Sequence, residues 1–566
     1  TDYQAFIHKS RYARWLDKEG RRETWQETVS RYMDNIVRPV AGDDSYIRQI
    51  EDAILSLDVM PSMRSLMTAG PAALRDNTAM YNCSYLTVKN IKSFDQAMFI
   101  LLCGTGVGFS VERQYINKLP EVPDKMFDSE TTIVVKDSKE GWAKALRQLI
   151  ALLYSGEIAQ WDVGLVRPAG ARLKTFGGRA SGPAPLIDLF NDPHRALSNN
   201  SVAYSEKPDS LSFMREWQAL VESGSGERGI FNREAAKKQA AKNGRRDSSF
   251  DFGTNPCSEI ILRDSQFCNL TECVVRATDS IEDLERKEKL ATILGTVQST
   301  YTHFPYLTKE WKDNTEEERL LGVSLTGIMD NQLMTIKNSG LAKTLEYLKN
   351  VAINTNAEWA ERLGIPVATA ISCVKPSGTV SQLVNSSSGI HARHSPYYIR
   401  TVRGDIKDPL TNFLKDKGIP NEPCVMKPDT TVVFSFPQKA PEGAIVTSDM
   451  TAIEQLEMWL MYQRNWAEHK PSVTINVRSD EWLEVGAFVY KNFDEMSGVS
   501  FLPYNEHTYQ QAPYQECSKT DYKTLLSCMP DTLDWNELSE YEKEDNTAGS
   551  QTLACSGDSC ELVDLV

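Results

Sequence analysis

The chain has 566 residues, 41% hydrophobic and 25% charged, a globular composition with more length than one ordinary core requires. A net charge of -15 argues against nonspecific binding to DNA, RNA or an anionic membrane, and admits an anionic substrate only where a local pocket offers positive or amide-rich groups. The opening TDYQAFIHKSRYARW lacks a signal-peptide pattern and the longest apolar run, near Ala97–Cys103, is too short to span a bilayer, so a cytoplasmic setting is expected.

Residues 1–60 show helical spacing at Tyr12, Trp15 and Leu16 and again at Trp25, Val29, Tyr32, Met33 and Ile36. The second helix is expected to begin at Arg21–Glu23, with its basic residues on a solvated face. Tyr81–Val88, rich in aromatic and β-branched residues, predicts a strand. The following GTGVGF (104–109) fits neither the dinucleotide nor the Walker glycine pattern. Its glycines suit a close backbone approach at the start of a strand. A helix is predicted over Gly141–Ser155. The loop Arg167–Pro183 carries Arg167, Arg172, Lys174 and Arg179, and is either a solvated connection or an anion-contacting loop.

Residues 191–250 read as polar and helical, ending in a basic stretch, Lys237–Arg246, expected on a solvated face. Thr254-Asn255-Pro256-Cys257-Ser258-Glu259 then places an amide, a thiol and a carboxylate at alternate positions. In extended backbone these share one face. Further helices are predicted over 281–301, 314–328 and 341–363. A strand-like run, Ala368–Val374, leads into Lys375-Pro376-Ser377-Gly378-Thr379-Val380-Ser381. Hydroxyls, a nearby lysine and the amides of a helix start form a phosphate site, although an N-capped helix fits these residues equally well. Strands Thr431–Phe436, Ser472–Val477 and Val499–Leu502 alternate with helices Ile453–Glu468 and Ser479–Tyr490, which favours parallel strands. Residues 511–566 lose this rhythm and end in an acidic segment with Cys555 and Cys560, a suitable place for a mobile dithiol. The eleven cysteines include no CxxC pair and no zinc-type cluster, so no metal site is expected and a subset is read as redox-active.

Taken together, TNPCSE, FCNL, YNCSYL, PSGTVS and the terminal dithiol resemble the catalytic chain of ribonucleotide reductase over nearly the whole sequence. RYARWLDKEGRRETW and the ending EYEKEDNTAGSQTLACSGDSCELVDLV are most similar to the adenosylcobalamin-dependent (class II) monomeric type. The resemblance implies a thiyl radical at Cys257, general base action by Glu259 and substrate binding by Asn255. It implies reduction by Cys83 and Cys268, re-reduction by Cys555 and Cys560, and phosphate binding by Pro376, Ser377, Gly378, Thr379, Val380 and Ser381. The implied fold is a ten-stranded α/β barrel of two parallel five-stranded halves around a finger loop. It would span residues 76–510, between an N-terminal helical region (1–75) and a C-terminal extension with the redox tail (511–566). The implied reaction makes deoxyribonucleotides from ribonucleotides, with triphosphates expected. The implied cofactor is adenosylcobalamin, and the partners are a thioredoxin- or glutaredoxin-like reductant and a deoxynucleotide effector, in a monomer or weak dimer.

Such chains carry a long segment between the GGRASGP loop and ALSNNS. Here Pro185–Asn191 runs directly into Asp192, so one barrel segment is expected to be missing or reduced near residues 190–192. Two other readings stand beside the main one. A catalytic chain served by a separate metal-containing radical subunit would have adjacent tyrosines where Pro503-Tyr504 stands. A catalytically inactive nucleotide-binding regulator would have no use for Asn255, Cys257, Glu259 and the tail dithiol.

Overall fold

A computed structural model describes residues 1–547 except 174, 176, 192–199, 225, 227 and 505–509. Cys555 and Cys560 lie outside the described residues. The fold is built on the strand Gln266–Val274, buried at every position. Buried polar groups need partners, and this strand's have them. The Gln266 amide donates to Glu318, Asn269 accepts from Gln298 and Thr271 donates to the Ala291 carbonyl. The long helix Ile281–Gln298 covers the strand; it starts at a Ser280/Asp283 capping box.

Gln266–Val274 pairs in parallel with Leu321–Thr326, which pairs in parallel with Ser372–Cys373. On its other edge it runs antiparallel to Val59–Pro61 and Cys83–Thr87, and Cys83–Thr87 pairs in parallel with Gly106–Ser110. A second sheet has the order Thr474–Val477, Gly498–Pro503, Arg228–Asn232, Asn200–Tyr204, with its middle pair antiparallel. A parallel bridge between Val374 and Pro471 links the two sheets. Strand directions therefore fall into two sets. Gln266–Val274, Leu321–Thr326, Ser372–Cys373, Thr474–Val477 and Gly498–Pro503 run one way. Cys83–Thr87, Gly106–Ser110, Asn200–Tyr204 and Arg228–Asn232 run the other. The architecture is mixed α/β.

Two further units flank these sheets. Phe127–Val134 and Glu157–Asp162 pair in parallel around the helix Lys139–Tyr154. They share a small core of Ile133, Leu149, Ala159, Leu186 and Phe190. A separate antiparallel sheet joins Asn421–Pro423, Thr431–Lys439, Tyr397–Asp405 and Tyr514–Glu516.

Several expectations are corrected. The predicted helix over 314–328 is the end of the helix Lys309–Glu318 followed by the strand Leu321–Thr326. A short apolar run such as LGVSLT is a fully buried strand here, and periodicity alone does not separate that from a buried helix. Residues 191–250 hold strands Asn200–Tyr204 and Arg228–Asn232 as well as helices Ser210–Ser223 and Arg233–Ala241. Arg21 and Arg22 belong to a hairpin with Trp15–Leu16, and the helix starts after the Thr24 cap at Trp25. Arg22 is buried in a 2.7 Å pair with Glu542, not on a solvated face. Of the run Ala368–Val374 only Ser372–Cys373 is a strand, and Thr431–Lys439 is antiparallel.

Candidate active site

Cys83 and Cys268 are directly opposite each other in the antiparallel ladder. Both are buried thiols. Directly opposed residues in such a ladder have Cα atoms about 4.5–5.5 Å apart, inside the range a disulfide spans. Burial, and then the Glu259 charge, push both thiols well above their ordinary value. Each therefore stays protonated at neutral pH.

Above this pair lies the loop after the short strand Gly253–Thr254. The Asn255 amide donates from Nδ2 to Cys83 Sγ at 3.3 Å and to Glu259 Oε2 at 2.9 Å. Asn255 Oδ1 accepts from the Ile260 backbone at 3.1 Å, and the Cys83 thiol lies 3.7 Å from Glu259 Oε1. Asn255, Glu259, Cys83 and Cys268 are all buried, whereas Cys257 is half-buried. The structure thus brings Asn255, Glu259 and Cys83 into direct contact, with Cys268 across the ladder and Cys257 in the same loop.

Strand alternation does not gather these residues. The loop is not extended: Ser258 bonds back to Asn255 O at 2.9 Å and has φ of +65°. A turn, not strand alternation, gathers the residues. Glycines make room for it. A β-carbon at Gly108 would lie 1.8 Å from Thr254 O, and one at Gly106 would lie 3.2 Å from Asn82 O and touch Pro256 at 3.4 Å. The GTGVGF glycines therefore serve close backbone approach.

The basic stretch Lys237–Arg246 is also corrected. Arg246 is buried, paired with Glu318 at 2.9 Å, and donates to the Ile261 carbonyl at 2.9 Å. Arg245 pairs with Glu468 at 2.7 Å. His469 accepts at Nδ1 from Ile261 N (3.3 Å) and donates from Nε2 to Leu321 O (2.9 Å). Burial and the nearby Arg246 charge pull this imidazole down to about 3, so it stays neutral in that role. These loop-fixing residues had only a faint sequence signal, a charged and histidine-bearing stretch, Glu468-His469-Lys470, between a helix and a strand.

At the phosphate candidate, the helix Thr379–Val384 follows Pro376-Ser377-Gly378. Lys375 pairs with Glu272 at 2.8 Å, and Ser377 donates to the same carboxylate at 2.5 Å. Burial pulls the lysine's affinity for its proton down, but Glu272 overcomes this and holds it above the ordinary value. Ser377 Oγ also accepts from Ser381 N at 3.1 Å. In the Arg167–Pro183 loop, Arg167 pairs with Asp137, Arg172 with Asp17 and Asp545, and Arg179 with Glu544. These arginines dock acidic side chains of the chain itself.

A family model described as "B12-dependent ribonucleotide reductase, insertion domain" matches residues 113–197, which include the small unit around Lys139–Tyr154. An adenosylcobalamin-dependent ribonucleoside-triphosphate reductase of Lactobacillus gasseri is 24% identical, over 91% of this chain and 90% of its own. This chain is similar over most of its length to B12-dependent ribonucleotide reductases. The Euglena gracilis member carrying the same description is 25% identical over 90% of this chain and 78% of its own. A crystal structure of a B12-dependent (class II) ribonucleotide reductase superposes with a TM-score of 0.78 at 22% identity, covering 94% of this chain and 95% of that one, a likeness of fold. The L. gasseri alignment spans 690 positions against the 566 residues here, so that relative has segments without a counterpart in this chain.

Proposed function

We propose that this chain reduces ribonucleoside triphosphates to deoxyribonucleotides by a thiyl-radical mechanism that depends on adenosylcobalamin. One observation carries the reading: a single amide nitrogen of Asn255 bonds both Cys83 Sγ and Glu259 Oε2, with Cys268 opposite Cys83. A base, a positioning amide and two reducing thiols therefore share one buried site. The named relatives support the cofactor and the level of phosphorylation.

Bound adenosylcobalamin supplies the one-electron chemistry that turns the Cys257 thiol into a radical. The chain would have to present an approachable thiol to that group. The half-buried Cys257 fits this, above the buried Cys83 and Cys268. Cys257 sulfur takes the 3'-hydrogen of the ribose and later returns it. Glu259 accepts the 3'-hydroxyl proton, and Asn255 holds the carboxylate toward it. The 2'-hydroxyl leaves as water. Cys83 and Cys268 give the two hydrogens required and end as a disulfide; their protonated state keeps those hydrogens available. Cys555 and Cys560 then reduce the disulfide by exchange and are recycled by a thioredoxin- or glutaredoxin-like dithiol.

Phosphate recognition falls to Pro376–Ser381. Because Lys375 is committed to Glu272, it rests on Thr379 and on the backbone amides of Thr379 and Val380. The two strand directions support the halves of a ten-stranded barrel over residues 76–510, with the tenth strand's place between Gly106–Ser110 and Asn200–Tyr204. Residues 1–75 and 511–566 form the flanking regions. A deoxynucleotide effector, a cytoplasmic setting and a monomer or weak dimer complete the proposal.

The test is reduction of all four ribonucleoside triphosphates with dithiothreitol, with and without adenosylcobalamin. Turnover only with the cofactor is expected. Turnover only after adding a metal-containing radical subunit would reassign the radical source, and none under either condition would leave a nucleotide-binding regulator.

A further inference from the structure

Ser258 holds a left-handed backbone, φ +65°, in the middle of the Cys257–Glu259 turn. For a residue with a side chain this backbone is unfavourable and persists only when the surroundings impose it. The surroundings here are one short segment, Glu468–Ser472. Lys470 Nζ donates to Ser258 Oγ at 2.7 Å, and Lys470 N donates to Glu259 O at 3.2 Å. Ser472 Oγ donates to Cys257 O at 2.5 Å. The same segment is stitched to the strand that leads to Pro376–Ser381: Val374 N donates to Lys470 O at 3.3 Å and Ser472 N to Val374 O at 2.8 Å.

Lys470 is 1% exposed. A buried ammonium is costly unless its hydrogen bonds compensate. Burial lowers this one to about 7, with the Glu259 carboxylate opposing. The space for it exists because residue 498 is glycine. A β-carbon there would sit 2.8 Å from Lys470 Nζ and 3.5 Å from Ser258 Oγ. Lys470, Ser258 and Gly498 therefore form one contact set directly behind Cys257, joining the radical loop to the phosphate strand.

We propose that Lys470 is a positioning residue, its buried amino group pinning Ser258 so that the turn presents Cys257 and Glu259 to one substrate. Only the kinetic arm of its test rests on the reaction proposed above. Lys470→Met and Ser258→Ala are each expected to lower kcat about 10- to 100-fold, since an error of about 1 Å in placing a reacting group has that effect. KM is expected to change less than about twofold, because the binding groups stay in place. The double variant should lose no more than the worse single one, because both remove one contact. Lys470→Gln, which keeps a donor, should recover part of the loss. An arm independent of turnover is the rate at which iodoacetamide labels Cys257, followed by peptide mass spectrometry, expected to change at least about threefold in Lys470→Met when the turn relaxes. Wild-type labelling in Lys470→Met, or fully additive losses in the double variant, would overturn the proposal. Absent turnover in the unmutated chain would instead sink the reaction, and labelling alone would then decide the role of Lys470.

Discussion

Gly108 and Thr254 meet backbone to backbone: a β-carbon on the first would lie 1.8 Å from the carbonyl oxygen of the second. The strand that pairs with Cys83–Thr87 thus props up the loop carrying Cys257. Gly108→Ala is expected to push that loop away, because a carbonyl oxygen in a packed backbone cannot swing aside as a side-chain end can. The expected cost is about 1–3 kcal/mol of stability, with a larger proportional loss in kcat. Thermal melting and steady-state kinetics measure both. Unchanged melting with unchanged kcat would mean that the loop retreats freely.

The ladder register of Cys83 and Cys268 predicts a specific covalent product. One turnover without external reductant in a Cys555→Ser/Cys560→Ser chain, whose tail cannot take up the disulfide by exchange, followed by alkylation and nonreducing digestion, should yield a peptide linking these two residues. Cys83→Ser and Cys268→Ser should each remove that peptide and abolish multiple turnover. A product disulfide involving Cys373 or Cys273 would contradict the pairing.

Cys257 and the tail cysteines are expected to separate by reductant. Cys257→Ser should abolish turnover with any reductant, because no other thiol lies in the Asn255–Glu259 turn. Cys555→Ser should spare the assay driven by dithiothreitol, a small molecule able to enter the site, and lose the thioredoxin-driven one. Equal loss in both assays would rule out a shuttle.

Glu288 is a fully buried carboxyl in the helix Ile281–Gln298, with a 3.3 Å bond from Thr292. Burial raises its pKa from 4.5 to about 8, the Thr292 bond opposing. The folded chain therefore holds more protons than the unfolded one between those values, so stability falls as pH rises through that window, by ~1.4 kcal/mol per pH unit at most. Glu288→Gln should stabilise the protein by on the order of 2 kcal/mol at pH 7.5, and by much less below pH 5. Denaturant melts at the two pH values measure this, and an equal effect at both would contradict it.

The candidate residues were legible one by one. NPCSE, FCNL and YNCSYL marked Asn255, Cys257, Glu259, Cys268 and Cys83, and the helices around 141–155 and 453–468 matched their apolar spacing closely. The buried strand Leu321–Thr326 was missed because a run buried on both faces has no alternation to detect. Arg246 was misplaced because a basic stretch resembles a solvated face until Glu318, more than seventy positions away, is brought against it.

By itself the sequence determined which side chains are able to carry the proposed chemistry, since thiol, carboxylate and amide are properties of single residues, and it determined the local periodicities that make strands and helices. Only the tertiary structure decided that Cys83 faces Cys268, that the Asn255–Glu259 loop is a turn and not a strand, and that Lys470, His469 and Arg246 hold it there. The physical reason is range. Backbone preference acts over a few neighbours, whereas these contacts join segments up to more than two hundred positions apart, and they exist only once the sheets have packed and excluded water from between them.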